Sequence, residues 1–362
     1  MGDRKRTRVE PHRRKPVSCY DLDAFVGQYV EYQELLELQN RKNRKRDAPL
    51  VHEAQEKDAW YYKNHGPFKQ WDMSQIQDLS NCLSTESRDD WAGLTADLGE
   101  WDVSACLNMS NMFSGQRVFS CDLNKWDVSK VVLMIEMFHG CVNFNGDVSA
   151  WDVSSVHNKC EMFVHCQKFN RDLSKWNVHK VENMSKMFQF CWAFNGDVST
   201  WNVSKVADME AMFCGCVNFN GDLSKWDVSS VENMDRMFCR CVNFNGDLSK
   251  WDVSSVEFMD NMFEGCKHFN CDLSEWDVSN VRYMTDMFKG CDAFDGRLSD
   301  AFVAKMHALR EHRSGRMLWN KYKRRFKTLS IYNYWQELAY RPRADGSAPA
   351  ANLSGVGFVV SP

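Results

Sequence analysis

The chain has 362 residues, 44% of them apolar, and a formal charge of −4. That share admits a continuous core, and no run approaches the roughly 18 apolar residues that a membrane helix needs. The charge is uneven: residues 1–50 hold 12 Lys/Arg against 8 Asp/Glu, residues 300–362 hold 11 against 4, and the stretch between sums to −15.

Residues 1–57 read as a basic N-terminal segment. Its first 18 residues carry Arg4, Lys5, Arg6, Arg8, Arg13, Arg14 and Lys15 with too few apolar groups to offset the entropy of ordering, so disorder is expected. The two basic clusters fit a nuclear-localisation signal or a solvated tail. Over 20–40, Phe25, Tyr29, Tyr32, Leu35 and Leu36 fall at helical spacing. A second basic run, Arg41, Lys42, Arg44, Lys45 and Arg46, follows and complements the end of that helix dipole.

Residues 58–93 read as a degenerate capping repeat, in which Trp71-Asp72-Met73-Ser74-Gln75-Ile76 copies a phrase met later and Leu79 stands where a Met will stand. From 94 to 300 the phrase recurs every 25 residues, with Trp101, Trp126, Trp151, Trp176, Trp201, Trp226, Trp251 and Trp276 marking eight copies. A fixed period of this length means stacked units, none of which has a core of its own. In each copy Phe-Asn-Gly-Asp-Leu-Ser-x-Trp reads as a short strand with its bend. Gly146, Gly196, Gly221 and Gly246 fit a tight turn there, although Arg171 and Cys271 fill the same place in other copies.

After the Trp comes Asp-Val-Ser, a helix-capping phrase. Ser229-Ser230-Val231-Glu232 and Ser254-Ser255-Val256-Glu257 have the capping-box spacing. Val231, Met234, Met237 and Phe238 then share one face of a short helix. The expected fold class is therefore an α/β repeat solenoid, each coil one short strand plus a short helix. Strand pairing would stack coils at about 4.8 Å and pile identical residues into ladders. The repeated Asp (Asp122 through Asp272) is expected to hydrogen-bond loop amides along the stack.

Fifteen cysteines suggest disulfides until their spacing is read. Cys141, Cys166, Cys191, Cys216, Cys241, Cys266 and Cys291 hold one repeat position, an odd-numbered ladder where a small apolar group is wanted. No second ladder is read among the others. The pairs Cys214/Cys216 and Cys239/Cys241 lack the C-x-x-C partners of a zinc site. Reduced thiols and the absence of a secretory apolar region point to a cytoplasmic or nuclear protein. Gln116 replaces the ladder Cys in the first full copy and Arg297 the ladder Asp in the last, as end-capping would favour. Lys159 replaces a ladder Met in mid-array, and its ammonium is expected to snorkel outward.

Past Leu298, residues 301–340 read as a helical basic cap, with helices over about 300–313 and 316–340, and 341–362 as a mobile tail. Lys323, Arg324 and Arg325 sit among Tyr322, Phe326 and Tyr332.

The phrase Phe-Asn-x-Asp-Leu-Ser-x-Trp-Asp-Val-Ser-x-Val-x-x-Met-x-x-Met-Phe-x-x-Cys resembles the BspA-like leucine-rich-repeat surface proteins, in their 25-residue mycoplasma-type form. The resemblance covers roughly 94–300. It implies a leucine-rich-repeat-like solenoid, a non-enzymatic role in protein–protein contact or adhesion, and a cell-surface location as the alternative to the one above.

The residues give no competing chemistry. The histidines are scattered, and there is no phosphate-binding loop or nucleophile elbow. No catalytic, metal or cofactor residue is assigned. Two function classes remain. In the first, the repeat surface binds a protein of unknown identity through positions where copies differ: Lys125, Ala150, Lys175, Thr200, Lys225, Lys250 and Glu275 before each Trp, and the pair after each ladder Cys. In the second, Arg44, Lys45, Arg46, Lys323, Arg324 and Arg325 bind nucleic acid or an anionic surface, with the repeats as scaffold.

Overall fold

The computed structural model describes residues 73–85 and 97–310. The helices expected over 20–40 and 316–340 lie outside them.

Each 25-residue copy forms one coil, and equivalent residues of successive coils are paired through the backbone. One parallel bridge per coil runs from Asp78 through Asn108, Leu133, Asn158, Asn183, Asp208, Asn233 and Phe258 to Tyr283. Beside it, every second N–H points to the next coil. Met209, Ala211, Phe213 and Gly215 donate to the carbonyls of Asn233, Asp235, Met237 and Cys239 at 2.9, 2.7, 2.9 and 2.7 Å. Leu79 donates to Asn108 in the same way (2.9 Å), so residues 73–85 add a partial coil to the array.

The local structure differs from the expected strand plus helix. Among the described residues of 97–298 there is no α-helix, and the Phe-to-Trp half pairs as a bridge only at Leu273–Leu298. The Met-x-x-Met-Phe segment is instead a chain of turns, with N–H to C=O bonds three residues apart at Met212–Met209, Cys216–Phe213 and Phe219–Cys216. Its apolar spacing imitates a helix because three-residue turns bring the same positions inward.

The turns require a left-handed residue between the two Met positions, and every full coil uses a non-glycine there, for example Glu136 (φ 54°), Lys186 (54°), Ala211 (51°) and Arg236 (55°). A second left-handed site precedes the ladder Cys. It is Gly in five coils, but His165, Phe190 and Arg240 in the other three. Such backbone costs a non-glycine residue about 1–2 kcal/mol. The inter-coil bonds on either side hold it. Gly146 and Gly196 are not left-handed. They are needed because a Cβ would run into the Cys121 and Arg171 carbonyls of the preceding coil.

Inside the coils the side chains stack on their equivalents. Phe119, Phe144, Phe169 and Phe194 follow one another at 5.8, 5.9 and 6.0 Å between ring centroids. Trp176, Trp201 and Trp226 follow at 6.3 and 6.2 Å, with ring planes 2–4° apart. A second Phe row interleaves with the first, as in the 4.1 Å stack of Phe213 on Phe219. The ring rows are wider than the about 4.8 Å of paired backbone.

Two side-chain donors complete this core. Trp201 Nε1 donates to Leu173 O (2.9 Å), Trp226 Nε1 to Val198 O (3.0 Å), and so on from Trp126 to Trp276, always 28 residues back. Every ladder thiol does the same: Cys141 to Phe113 O (3.0 Å), Cys216 to Phe188 O (3.0 Å), Cys266 to Phe238 O (2.9 Å). The ladder Cys is thus a small donor as well as a small apolar group. Gln116 takes over that duty at the first coil, its Nε2 donating to Leu83 O (2.8 Å). Cys82 departs from the all-reduced expectation: it is disulfide-bonded, to a partner outside the described residues.

In the Phe-Asn segment the side-chain hydrogen bonds along the stack come from Asn rather than from the repeated Asp. Asn195 N–H donates to Asn170 Oδ1 (2.8 Å), Asn220 to Asn195 (2.9 Å) and Asn245 to Asn220 (2.9 Å). The repeated Asp bonds locally, Asp222 Oδ1 accepting from Ser224 N–H at 3.0 Å. These serine bonds hold the Asp147, Asp172, Asp222 and Asp247 carboxyls below the ordinary value. The Asp-Val-Ser after the Trp closes in the same way, Asp227 Oδ1 accepting from Ser229 N–H (3.2 Å) and Ser229 Oγ (2.6 Å), so it is a turn motif, not a helix cap.

Lys159 corrects the snorkelling expectation. It is 0% exposed, and its Nζ has no hydrogen-bond partner. Burial lowers its pKa to about 7.

The array closes on one helix, α1 (Asp300–Arg310). Ser299 Oγ accepts from Phe302 N–H (3.1 Å) at its start. Phe302 packs on Phe288 at 6.3 Å, and Lys305 Nζ reaches Ser279 O at 2.7 Å.

Candidate interaction surface

Because the interior repeats, chemical individuality lies where side chains leave the coil. The row before each Trp contains Lys125, Lys175, Lys225, Lys250 and Glu275, all exposed and brought into line by the 25-residue register. Lys125 is engaged with Glu100 (2.5 Å), and Thr200 Oγ1 donates to Ser174 O (2.6 Å). The structure brings these residues onto one ridge but gives them no shared chemistry beyond exposed charge. Arg44, Lys45, Arg46, Lys323, Arg324 and Arg325 lie outside the described residues.

The corner after each ladder Cys is more distinctive. Its backbone is paired in register, Ala193 N–H donating to Gln167 O (3.1 Å) and Asn243 N–H to Val217 O (3.3 Å), so the side chains stand in a fixed row. Trp192 is 50% exposed, Val217 is 38% exposed in the next coil, and half-buried Val242 follows. Asn218, Asn243 and the exposed Lys168 border them. Every other described Trp is buried in the core. An exposed Trp on rigid backbone beside an aliphatic neighbour is the kind of anchor that dominates protein interfaces. The sequence offered this row only as a class of variable positions. The usable signal was Trp192 itself, where other copies carry Arg117, Val142, Gln167, Val217, Val242, Lys267 and Asp292.

The bridge face varies too. At one end Leu107, Val132 and Leu133 are exposed, and at the other Phe258 and Tyr283 stack at 5.4 Å. Between them Asp235 is half-buried, and burial, with Asp260 and Glu210 nearby, raises its pKa to about 6. Its Oδ1 accepts from Asp260 N–H at 2.6 Å, a structural use for the carboxylate. Among the described residues no group of three His, Cys, Asp or Glu is placed to hold a metal, and no helix is long and apolar enough to cross a membrane.

A family model described as "Mycoplasma protein of unknown function, DUF285" matches residues 85–201 and again 182–302. No curated protein and no solved structure matches the chain.

Proposed function

Since the chain belongs to this mycoplasma-type protein family of unknown function, whose description names no activity, we propose from its surface that it is a non-enzymatic protein-binding scaffold. We read the architecture as a leucine-rich-repeat-like solenoid, with turns in place of the helices. The closer resemblance to BspA-like proteins rests on the repeat phrase alone. The observation that carries the functional reading is the contrast between a uniform interior and a surface row of exposed Trp192 and Val217 with half-buried Val242. Ladder Trp and Cys are consumed by inter-coil hydrogen bonds, and the repeated Asp by turns, so none of them is left for catalysis.

The test is capture of partners by the full chain and by Trp192→Ala. A protein retained by the wild type and lost, or weakened at least about tenfold, in the variant is expected, as for an interface anchor worth over 1 kcal/mol. Equal retention of every captured protein would remove Trp192 from the account. The second reading, tail-driven binding of nucleic acid or an anionic surface, is favoured by the excess charges of +4 and +7 at the two ends. Its mark is affinity that falls steeply with salt. A cytoplasmic or nuclear location is kept as our reading on the thirteen free thiols among the described residues; the disulfide at Cys82 stands against it.

A further inference from the structure

Two cysteines outside the ladder face each other. Cys214 and Cys239 are 25 residues apart, at the same position of neighbouring coils, a register that the more conspicuous C-x-C pairs mask in the sequence. With Ala211 and Phe190 they form a small apolar cluster separate from the main core, on the variable side of the coils. The backbone holds them in line: Phe190 N–H donates to Cys214 O and Gly215 N–H to Cys239 O, both at 2.7 Å. Paired backbone about 4.8 Å apart lies inside the roughly 4.4–6.8 Å window of Cα separations that a disulfide spans.

The other free thiols are spoken for. Each ladder thiol is pinned to a Phe carbonyl 28 residues back and buried in the core. Cys106 donates to Asn108 O, Cys160 pairs with Ser185 Oγ, and Cys271 donates to Asp247 Oδ1. Cys214 and Cys239 instead share the small cluster with each other, each 5% exposed.

We propose that Cys214 and Cys239 are a redox-active dithiol, which a hydroperoxide oxidises to a disulfide joining two neighbouring coils. The neighbouring Cys239 holds the Cys214 thiol below its ordinary value, and the same pairing pushes Cys239 up. One of the two thiols, taken as Cys214, attacks as its thiolate. It takes the terminal peroxide oxygen and becomes a sulfenic acid, and the other oxygen leaves as hydroxide or alkoxide and is protonated to water or an alcohol. The Cys239 sulfur, giving up its proton, then attacks the Cys214 sulfur, and the sulfenic oxygen leaves as water. Two thiols lose two electrons and two protons, and one peroxide bond is reduced.

The experiment uses the intact protein and hydrogen peroxide. After oxidation, alkylation and trypsin digestion without reductant, the peptide 206–225, which carries Cys214, is expected joined to the tetrapeptide 237–240, which carries Cys239. The joined mass is two hydrogens below the sum and separates on reduction. Ladder cysteines should be alkylated only after denaturation. Cys214→Ser and Cys239→Ser should each abolish the joined peptide. The proposal is overturned if no joined peptide forms in the wild type, if it persists in Cys214→Ser through Cys216, or if Cys239 accumulates higher oxides unbridged. The wild-type digest decides the matter even if a variant fails to fold.

Discussion

Replacing Lys159 with Met is expected to stabilise the protein by on the order of 4 kcal/mol at pH 7. The native pKa of about 7, against an ordinary 10.5, means that at pH 7 the folded state holds this amine about half neutral while the unfolded state holds it protonated, and each tenfold loss of proton affinity costs about 1.4 kcal/mol. The equivalent positions in adjacent coils are Met134 and Met184, both fully buried, so a third Met continues the row. The sign follows from the lowered pKa. Folding releases a proton here, so the wild type gains stability from this site as pH rises from about 7 toward 10.5, and the advantage of Lys159→Met should shrink over the same window.

The ladder thiols run the other way. Burial raises Cys141 and Cys191, among others, above their ordinary value, so their contribution is complete below pH 9 and is lost as pH rises above it. Denaturant unfolding of wild type and variant side by side cancels that common effect. A difference that stays constant from about pH 7 to pH 10 would show that Lys159 is not buried neutral.

Replacing Trp201 with Ala is expected to cost about 3–5 kcal/mol, the range for removing a large aromatic side chain from a packed core. Trp201 is 3% exposed and stacks on Trp176 and Trp226 at 6.3 and 6.2 Å. Trp201→Phe separates the two things that the side chain does. It keeps most of the ring and removes the Nε1 donor to Leu173 O, which still accepts from Trp176 N–H at 3.0 Å. About 1–2 kcal/mol is expected for that change. Urea unfolding decides both values. A loss under about 1 kcal/mol for the Ala variant would contradict the buried ladder.

The 25-residue period and the apolar interior were legible because Trp, Met, Phe and Cys recur at fixed positions with few exceptions, and the ladder residues turn inward. The path of the backbone was not. Val231, Met234, Met237 and Phe238 have helical spacing, but turns closed over three residues bury the same set, and only the inter-coil bonds separate the two. The left-handed sites were hidden because Glu136, Lys186, Ala211 and Arg236 fill them in place of glycine. Roles played between coils were hidden too. A Cys that donates 28 residues back reads in one dimension as a small apolar residue, and an Asn that bonds the next Asn reads as a loop residue. Of the surface, the charged row from Lys125 to Glu275 could be named from variation alone. Trp192 stands out only once every other described Trp is seen to be inside.

The central claim is that each 25-residue copy is one interchangeable layer, bonded to its neighbours through the same backbone and side-chain positions. Its most direct measurement is the unfolding transition after removal of residues 201–225, compared with removal of residues 201–220. The first deletion joins Thr200 to Trp226 and restores every register, so a cooperative transition and a native-like circular dichroism spectrum are expected. The second offsets all the following rows by five residues, placing Trp226 outside the Trp row, and should abolish the cooperative transition. If both deletions unfold alike, or the 20-residue deletion is the more stable, the layered account is wrong.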